Sequence, residues 1–166
     1  MPVHPALNAA RSFENDYKHL LEAHKELVAR IPFGVPQGVP SFGTIGIDES
    51  NDEIFVAFLG LEFEAKRRPV RGPDGQLLFE YSFFCTSTES HAFIWAFYLS
   101  MNGTLFPSPN TNVEAPLADL NELAIKRILD RLVVAVIESD LLDPIERRTI
   151  NVEDVWPEVR RPTSTR

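Results

Sequence analysis

Apolar residues near the start of the chain recur at three- and four-residue spacing. Between residues 12 and 31 they fall on one face of a helix, and Pro32 and Gly34 then interrupt the pattern. Further glycine and proline residues follow up to Pro40. The pattern therefore predicts an N-terminal helix followed by a loop at residues 32–40.

The middle of the chain alternates apolar and polar residues with a period of two, which is typical of β-strands. Four strands are predicted at residues 42–47, 54–65, 77–86 and 91–101. Because the segments between them are short and polar, we expect an antiparallel meander. Asn102-Gly103 favours a type I′ hairpin turn and predicts a short fifth strand at Thr104–Phe106.

A second helical pattern starts near Pro116, because proline is well suited to the first position of a helix. From Leu117 to Val136 the apolar residues form a broad stripe, which is typical of a deeply buried helix. Trp156-Pro157 begins a tail that contains proline and arginine. We therefore expect a single α+β domain over residues 1–157 and a flexible C-terminal tail at residues 158–166.

The expected architecture is an N-terminal helix, a four- to five-stranded antiparallel meander and a long C-terminal helix, with both helices on one sheet face. Two helices about 9 Å apart cover roughly the width of four strands spaced by about 4.8 Å. The second face of the sheet is therefore left without a helix. Strand alternation places on this second face Ile54, Val56, Phe58, Glu62, Glu80, Phe84, Ile94 and Tyr98.

An exposed face of mixed apolar and polar residues is typical of a protein-binding surface. The leading hypothesis is therefore a non-catalytic interaction module of the adaptor, immunity or chaperone-like kind. Its partner is either another protein or a second copy of the chain, in a homodimer. A structural alternative remains open, in which the loops at residues 32–40 and 107–114 fold over this face.

A second hypothesis comes from the only cysteine. A hairpin loop at residues 87–90 brings Cys85 and His91 to the same end of neighbouring strands, where a histidine can activate a thiolate. With Tyr81 nearby, this arrangement allows a small-ligand pocket or a hydrolase site. The sequence supplies no third residue to orient the histidine, and Cys85 continues a core-facing row. The enzyme interpretation therefore stays the alternative.

No metal or cofactor site is predicted. His19 and His24 are five residues apart, whereas a helical zinc pair needs a spacing of four. We therefore expect both to be ordinary solvated side chains. Asp48, Ser50 and Asp52 resemble the opening of a calcium loop, but the later glycine and glutamate of such a loop are missing.

The net charge of −8 repels phosphate backbones and anionic lipids, so neither nucleic acid nor a membrane is an expected partner. The longest apolar runs are far shorter than the about 20 residues of a membrane-spanning helix. A single cysteine cannot form an internal disulfide, and the first residues do not resemble a secretory signal. These features together predict a cytoplasmic protein.

Overall fold

The structure is a computed structural model, and it describes residues 5–31, 44–48 and 53–141. The predicted loop at 32–40, the predicted tail at 158–166 and most of the calcium-loop resemblance lie outside these residues. In chain order the elements are α1 (Pro5–Arg30), β1 (Thr44–Asp48), β2 (Glu53–Phe58), β3 (Leu61–Arg71), β4 (Leu77–Cys85), β5 (Phe93–Ser100), β6 (Thr104–Phe106), β7 (Ala118–Asp119) and α2 (Ala124–Glu138).

All of these strands form one antiparallel sheet in chain order, from β1 to β7. The predicted α+β class and the predicted antiparallel meander are confirmed. The predicted number of strands is wrong, because the described residues contain seven. One predicted strand is two strands, and the seventh strand lies where a helix was expected.

The first difference is a hairpin turn inside the predicted strand at 54–65. Leu59 and Gly60 both have positive φ, +54° and +72°, as a type I′ turn requires. Phe58 pairs directly with Leu61 across this turn. The alternation therefore restarts after Gly60, and β2 buries the opposite set of side chains from the one predicted.

Leu59 is an unfavourable residue for this turn, because leucine rarely adopts positive φ, whereas asparagine tolerates it. Its side chain is exposed, so no core packing is lost when it is replaced. We expect Leu59→Asn to stabilise the protein by about 0.5–1 kcal/mol in urea denaturation. Val113→Asn, at an exposed position without positive φ, is the control and should leave stability unchanged.

The second difference is a β-bulge between β4 and β5. Phe83 pairs with Trp95, but the next residue, Phe84, pairs with Phe93. Ile94 is therefore the extra residue and packs against the core. The bulge turns Phe93 to the other side of the sheet, although its sequence position places it in the core-facing row.

The third difference is the start of the C-terminal helix. The backbone N–H of Leu117 donates to Leu105 O and that of Leu120 to Gly103 O, so this segment extends the sheet beyond β6. The helix expected from Pro116 onward begins instead at Ala124. Its buried side chains, Ala124, Ile125, Ile128, Leu132 and Val136, belong to the hydrophobic core.

The turn before β6 also differs in type. The strand Thr104–Phe106 is confirmed, but only Gly103 of the Asn102-Gly103 pair has positive φ. Its N–H donates to Ser100 O at 3.1 Å. A three-residue turn with glycine at the left-handed position replaces the predicted type I′ turn.

The core lies on the sheet side that carries Phe79, Tyr81, Phe83 and Cys85, opposite the predicted second-face residues Glu80 and Phe84. Because directly paired residues of an antiparallel sheet share a face, the register extends this side across the strands. The core side therefore also holds Ile45, Ile47, Ile54, Val56, Phe63, Trp95, Phe97, Leu99 and Leu105.

Helix α1 packs against this core side through aromatic and polar contacts. The Tyr17 and Phe79 rings meet in a T-shaped arrangement, and a hydrogen bond of 2.8 Å joins His24 Nδ1 to the Tyr81 hydroxyl. His24 is buried, which corrects the expectation of a solvated side chain. Arg67 also faces the core, and its guanidinium lies 4.8 Å from the centre of the Phe79 ring.

Candidate functional site

The face of β1–β5 that points away from the core is called the open face here. Its side chains follow from the register and form rows that run across the strands. One row contains Phe55, Glu64, Phe84 and Phe93, on β2, β3, β4 and β5. We call it the aromatic row.

The aromatic row holds two of the exposed large apolar side chains among the described residues. Phe93 is 58% exposed and Phe55 is 40% exposed, while Phe84 between them is half-buried. The Phe84 and Phe93 rings meet edge to face with centres 5.8 Å apart. The Phe55 ring lies over Gly46 of β1, where an added Cβ would overlap the ring. Both ends of the row are therefore apolar and in contact with solvent.

The neighbouring part of the face is organised around Glu80. Its carboxylate accepts hydrogen bonds from Arg68 Nε (2.8 Å), Ser82 Oγ (3.0 Å) and the Tyr98 hydroxyl (3.1 Å). The Glu80 side chain is only 13% exposed, whereas Arg68 is 71% exposed. An open groove of about 570 Å³ lies between this network and the Phe84–Phe93 pair.

Burial alone would raise the pKa of Glu80, but the hydrogen bonds from Arg68, Ser82 and Tyr98 outweigh it and hold the pKa below its usual value. Burial and the nearby Glu80 carboxylate raise the pKa of Tyr98 to about 12. At neutral pH Glu80 is therefore ionised and the Tyr98 hydroxyl keeps its proton. The network therefore forms an ordered polar wall of the groove.

This network predicts a pH-dependent contribution to stability. The contribution of Glu80 is present above its unfolded-state pKa of about 4.3 and is lost as the pH falls through the lowered folded-state pKa. At pH 7 we expect Glu80→Gln to lower the free energy of unfolding by about 1 kcal/mol, since the groups are partly exposed. Urea denaturation should show this difference disappearing in acid, while Glu89→Gln in the exposed turn has no effect at either pH.

A second charged cluster lies in the row between the Glu80 network and the aromatic row, next to Glu64. Lys66 Nζ is 3.0 Å from Glu53 Oε2 and 3.4 Å from Glu64 Oε2. The hydrogen bond to Glu53 raises the pKa of the Lys66 amine, although burial opposes the change. The carboxylate of Glu62 has no partner among the described residues, and it borders a groove of about 340 Å³ beside Phe55.

One end of the face is covered by the chain itself. Leu78 lies on this side of β4 but is fully buried. The loop after β6 packs there: an added Cβ at Gly72 would lie 2.7 Å from Pro109 O, and Thr111 Oγ1 donates to Asp74 Oδ2 at 3.0 Å. Of the two loops in the structural alternative, the one at residues 107–114 therefore covers this end, whereas no residue that the structure describes covers the exposed rings of the aromatic row. The other loop, at residues 32–40, lies outside the described residues.

The structure places only part of the predicted interaction surface on the open face. Glu62, Glu80, Phe84 and Tyr98 lie on the open face, as their alternation indicated. The predicted positions of four others are wrong, and these residues are Ile54, Val56 and Phe58, which are buried in the core, and Ile94, which packs against it. The Leu59-Gly60 turn explains the first three and the bulge explains the fourth.

Sequence reasoning missed Phe55 and Phe93, the exposed ends of the row. The available signal for Phe55 was Gly60, because a glycine inside a strand pattern indicates an irregularity. The bulge at Ile94 has no comparable sequence signal.

The alternative pocket around Cys85 is not assembled in the structure. Cys85 is fully buried on the core side, and the Tyr81 hydroxyl is hydrogen-bonded to His24 of α1. His91 is exposed in the loop, with φ of +47°, and no hydrogen bond joins it to Cys85. This placement gives a thiolate nucleophile neither solvent access nor a contacting base.

Within residues 5–31, 44–48 and 53–141, no group of histidine, cysteine and carboxylate side chains is arranged to hold a metal ion. No helix in that part of the chain is long and apolar enough to cross a membrane. Comparisons with protein-family models, with curated proteins and with solved structures found no match for this chain.

Proposed function

We propose that the chain is a non-catalytic protein-binding module and that the open face is its binding surface. The observation that carries this proposal is the aromatic row, which presents Phe55 and Phe93 to solvent at its two ends. Folded domains rarely expose a row of large aromatic rings unless another surface covers it. The predicted role is retained, but its anchor residues are Phe55 and Phe93 rather than Ile54, Val56 and Phe58.

The composition of the face supports binding to protein. Aromatic rings, tyrosine and arginine are enriched at the centres of protein interfaces, and here Phe93, Tyr98 and Arg68 border one groove. The rings are held by a paired sheet and the polar groups by the Glu80 network. Because these side chains are already ordered, this surface loses little conformational entropy when a partner binds.

The proposal includes the expectation that both helices lie on the core side. Its support is that buried side chains of α2 belong to the same hydrophobic cluster as Phe97 and Leu99 of β5. On this arrangement neither helix covers the aromatic row, and the partner replaces water there.

Site-specific photocrosslinking tests the proposal. A benzophenone amino acid is placed at Phe93 and, as a matched control, at Ile137 on the outer side of α2, since these two side chains are 58% and 62% exposed. After irradiation in the native host, we expect a discrete protein adduct from position 93 and none from position 137. Mass spectrometry then identifies the crosslinked peptide.

The result that would overturn the proposal is the absence of adducts from position 93. Equal adducts from both positions would also overturn it, because they would indicate nonspecific contact with exposed apolar residues.

A further inference from the structure

The charges around the aromatic row indicate the chemistry of the partner. On β1–β5 the open face carries five carboxylates, of Asp48, Glu53, Glu62, Glu64 and Glu80, and two cations, Lys66 and Arg68. Four of the carboxylates lie near the Phe55 end of the row. The exposed apolar side chains are therefore set in a negative surface, in a chain whose net charge is −8.

A second copy is a poor occupant of this face. A two-fold interface places the same patch on both subunits, so an excess of carboxylates would meet an equal excess. Like charges brought together across an interface oppose association. An anionic lipid surface is disfavoured for the same reason. A basic partner gains from the same field.

The length of the row limits the shape of this partner. Phe55 on β2 and Phe93 on β5 are three strand spacings apart, which is about 14 Å. A helix rises by 1.5 Å per residue, so apolar side chains spread over about nine to ten residues, between two and three turns, match this span. A segment with an apolar stripe and basic residues beside it complements both the rings and Glu62 and Glu64.

Resting on the proposed function, we infer that the open face binds a basic amphipathic segment of another protein. Its apolar side chains pack on Phe55, Phe84 and Phe93. Its lysine or arginine side chains pair with the carboxylates of Glu62 and Glu64.

The probes are two synthetic helical peptides with the same leucine stripe, one with lysine and the other with glutamate at all polar positions. Titration of the full chain, followed by fluorescence anisotropy of the labelled peptide, measures the affinities. We expect the lysine peptide to bind at least about tenfold more tightly than the glutamate peptide, with affinity falling as salt is added.

Two double variants that remove the same charge distinguish binding at this site from general electrostatic attraction to the acidic chain. Glu62→Gln with Glu64→Gln should weaken the lysine peptide about tenfold. Glu122→Gln with Glu138→Gln removes the same charge at exposed positions elsewhere and should change affinity by less than about twofold.

Equal weakening by the two pairs would overturn the inference, as would equal binding of the two peptides or no binding of either. The crosslinked peptide from position 93 gives an independent result. If it is acidic, or belongs to this chain, the inference fails while the proposed function stands. If position 93 yields no adduct at all, the proposed function fails first.

Discussion

Replacing Val56 with aspartate is expected to unfold the protein, whereas the same replacement at the adjacent Phe55 leaves it folded. Val56 is 1% exposed on the core side, and Phe55 is on the open face. An unpaired buried carboxylate costs several kcal/mol, which is a large part of the about 5–15 kcal/mol of a typical domain. Circular dichroism with urea denaturation measures both variants, and we expect a loss of at least about 4 kcal/mol for Val56→Asp.

This pair of variants distinguishes two assignments of the same residues. Uninterrupted alternation from 54 to 65 places Phe55 inside and Val56 outside. The turn at Leu59-Gly60 reverses that assignment. A folded Val56→Asp protein together with an unfolded Phe55→Asp protein would contradict the register of β2, and the aromatic row with it.

The second large effect is expected at the buried contact between α1 and the sheet. Burial raises the pKa of Tyr81 well above its ordinary value, so its hydroxyl keeps its proton and is available to the His24 ring. His24→Leu leaves this hydroxyl in the core without that partner, at a cost of about 2 kcal/mol. Tyr81→Phe removes the hydroxyl itself and should cost about 1 kcal/mol.

A double-mutant cycle tests the coupling of these two residues. Because the double variant leaves no hydroxyl in need of a partner, its loss of stability should be smaller than the sum of the single losses by about 1 kcal/mol. Urea denaturation of the four proteins gives the coupling. Additive losses would show that the hydrogen bond contributes nothing to the docking of α1.

Sequence reasoning succeeded where one physical signal acted alone. In β4 the alternation runs without interruption from Leu77 to Cys85, and the side chains that it places opposite Glu80 and Phe84 are all buried. The strand Thr104–Phe106, which is β6, was also predicted correctly from the glycine turn before it. The hydrophobic pattern was therefore sufficient for the α+β class and the order of the strands.

Sequence reasoning failed where the backbone changes register without a residue that signals the change. Leucine is rare at positive φ, so Leu59-Gly60 does not resemble a hairpin turn, although it forms one. The bulge at Ile94 occurs within an unbroken run of strand-forming residues. The turn reverses the faces of the β2 residues before it, and the bulge changes the faces of Phe93 and Ile94, so the errors in the predicted surface come from these two positions.

The helical elements show the limit of periodicity in another way. Leu117 and Leu120 have helical spacing, yet their backbone N–H groups donate hydrogen bonds to Leu105 of β6 and to Gly103 just before it. His24 is polar, yet Tyr81 provides a buried partner for it from a strand distant in sequence. In both cases a tertiary contact overrides the local preference, and a local pattern carries no information about that contact.

The most direct test of the open face as the binding surface compares two double variants. Phe55→Ser with Phe93→Ser removes the exposed ends of the aromatic row. Val134→Ser with Ile137→Ser removes side chains of similar exposure, 44% and 62%, from the outer side of α2. The measurement is calorimetric titration with the protein identified by crosslinking at position 93.

We expect the first variant to bind about a hundredfold more weakly, because buried aromatic anchors carry much of an interface's binding energy. The second variant should bind as the unmodified protein does, and both should remain folded. Undiminished binding by the Phe55→Ser, Phe93→Ser protein would contradict the assignment of the open face as the binding surface.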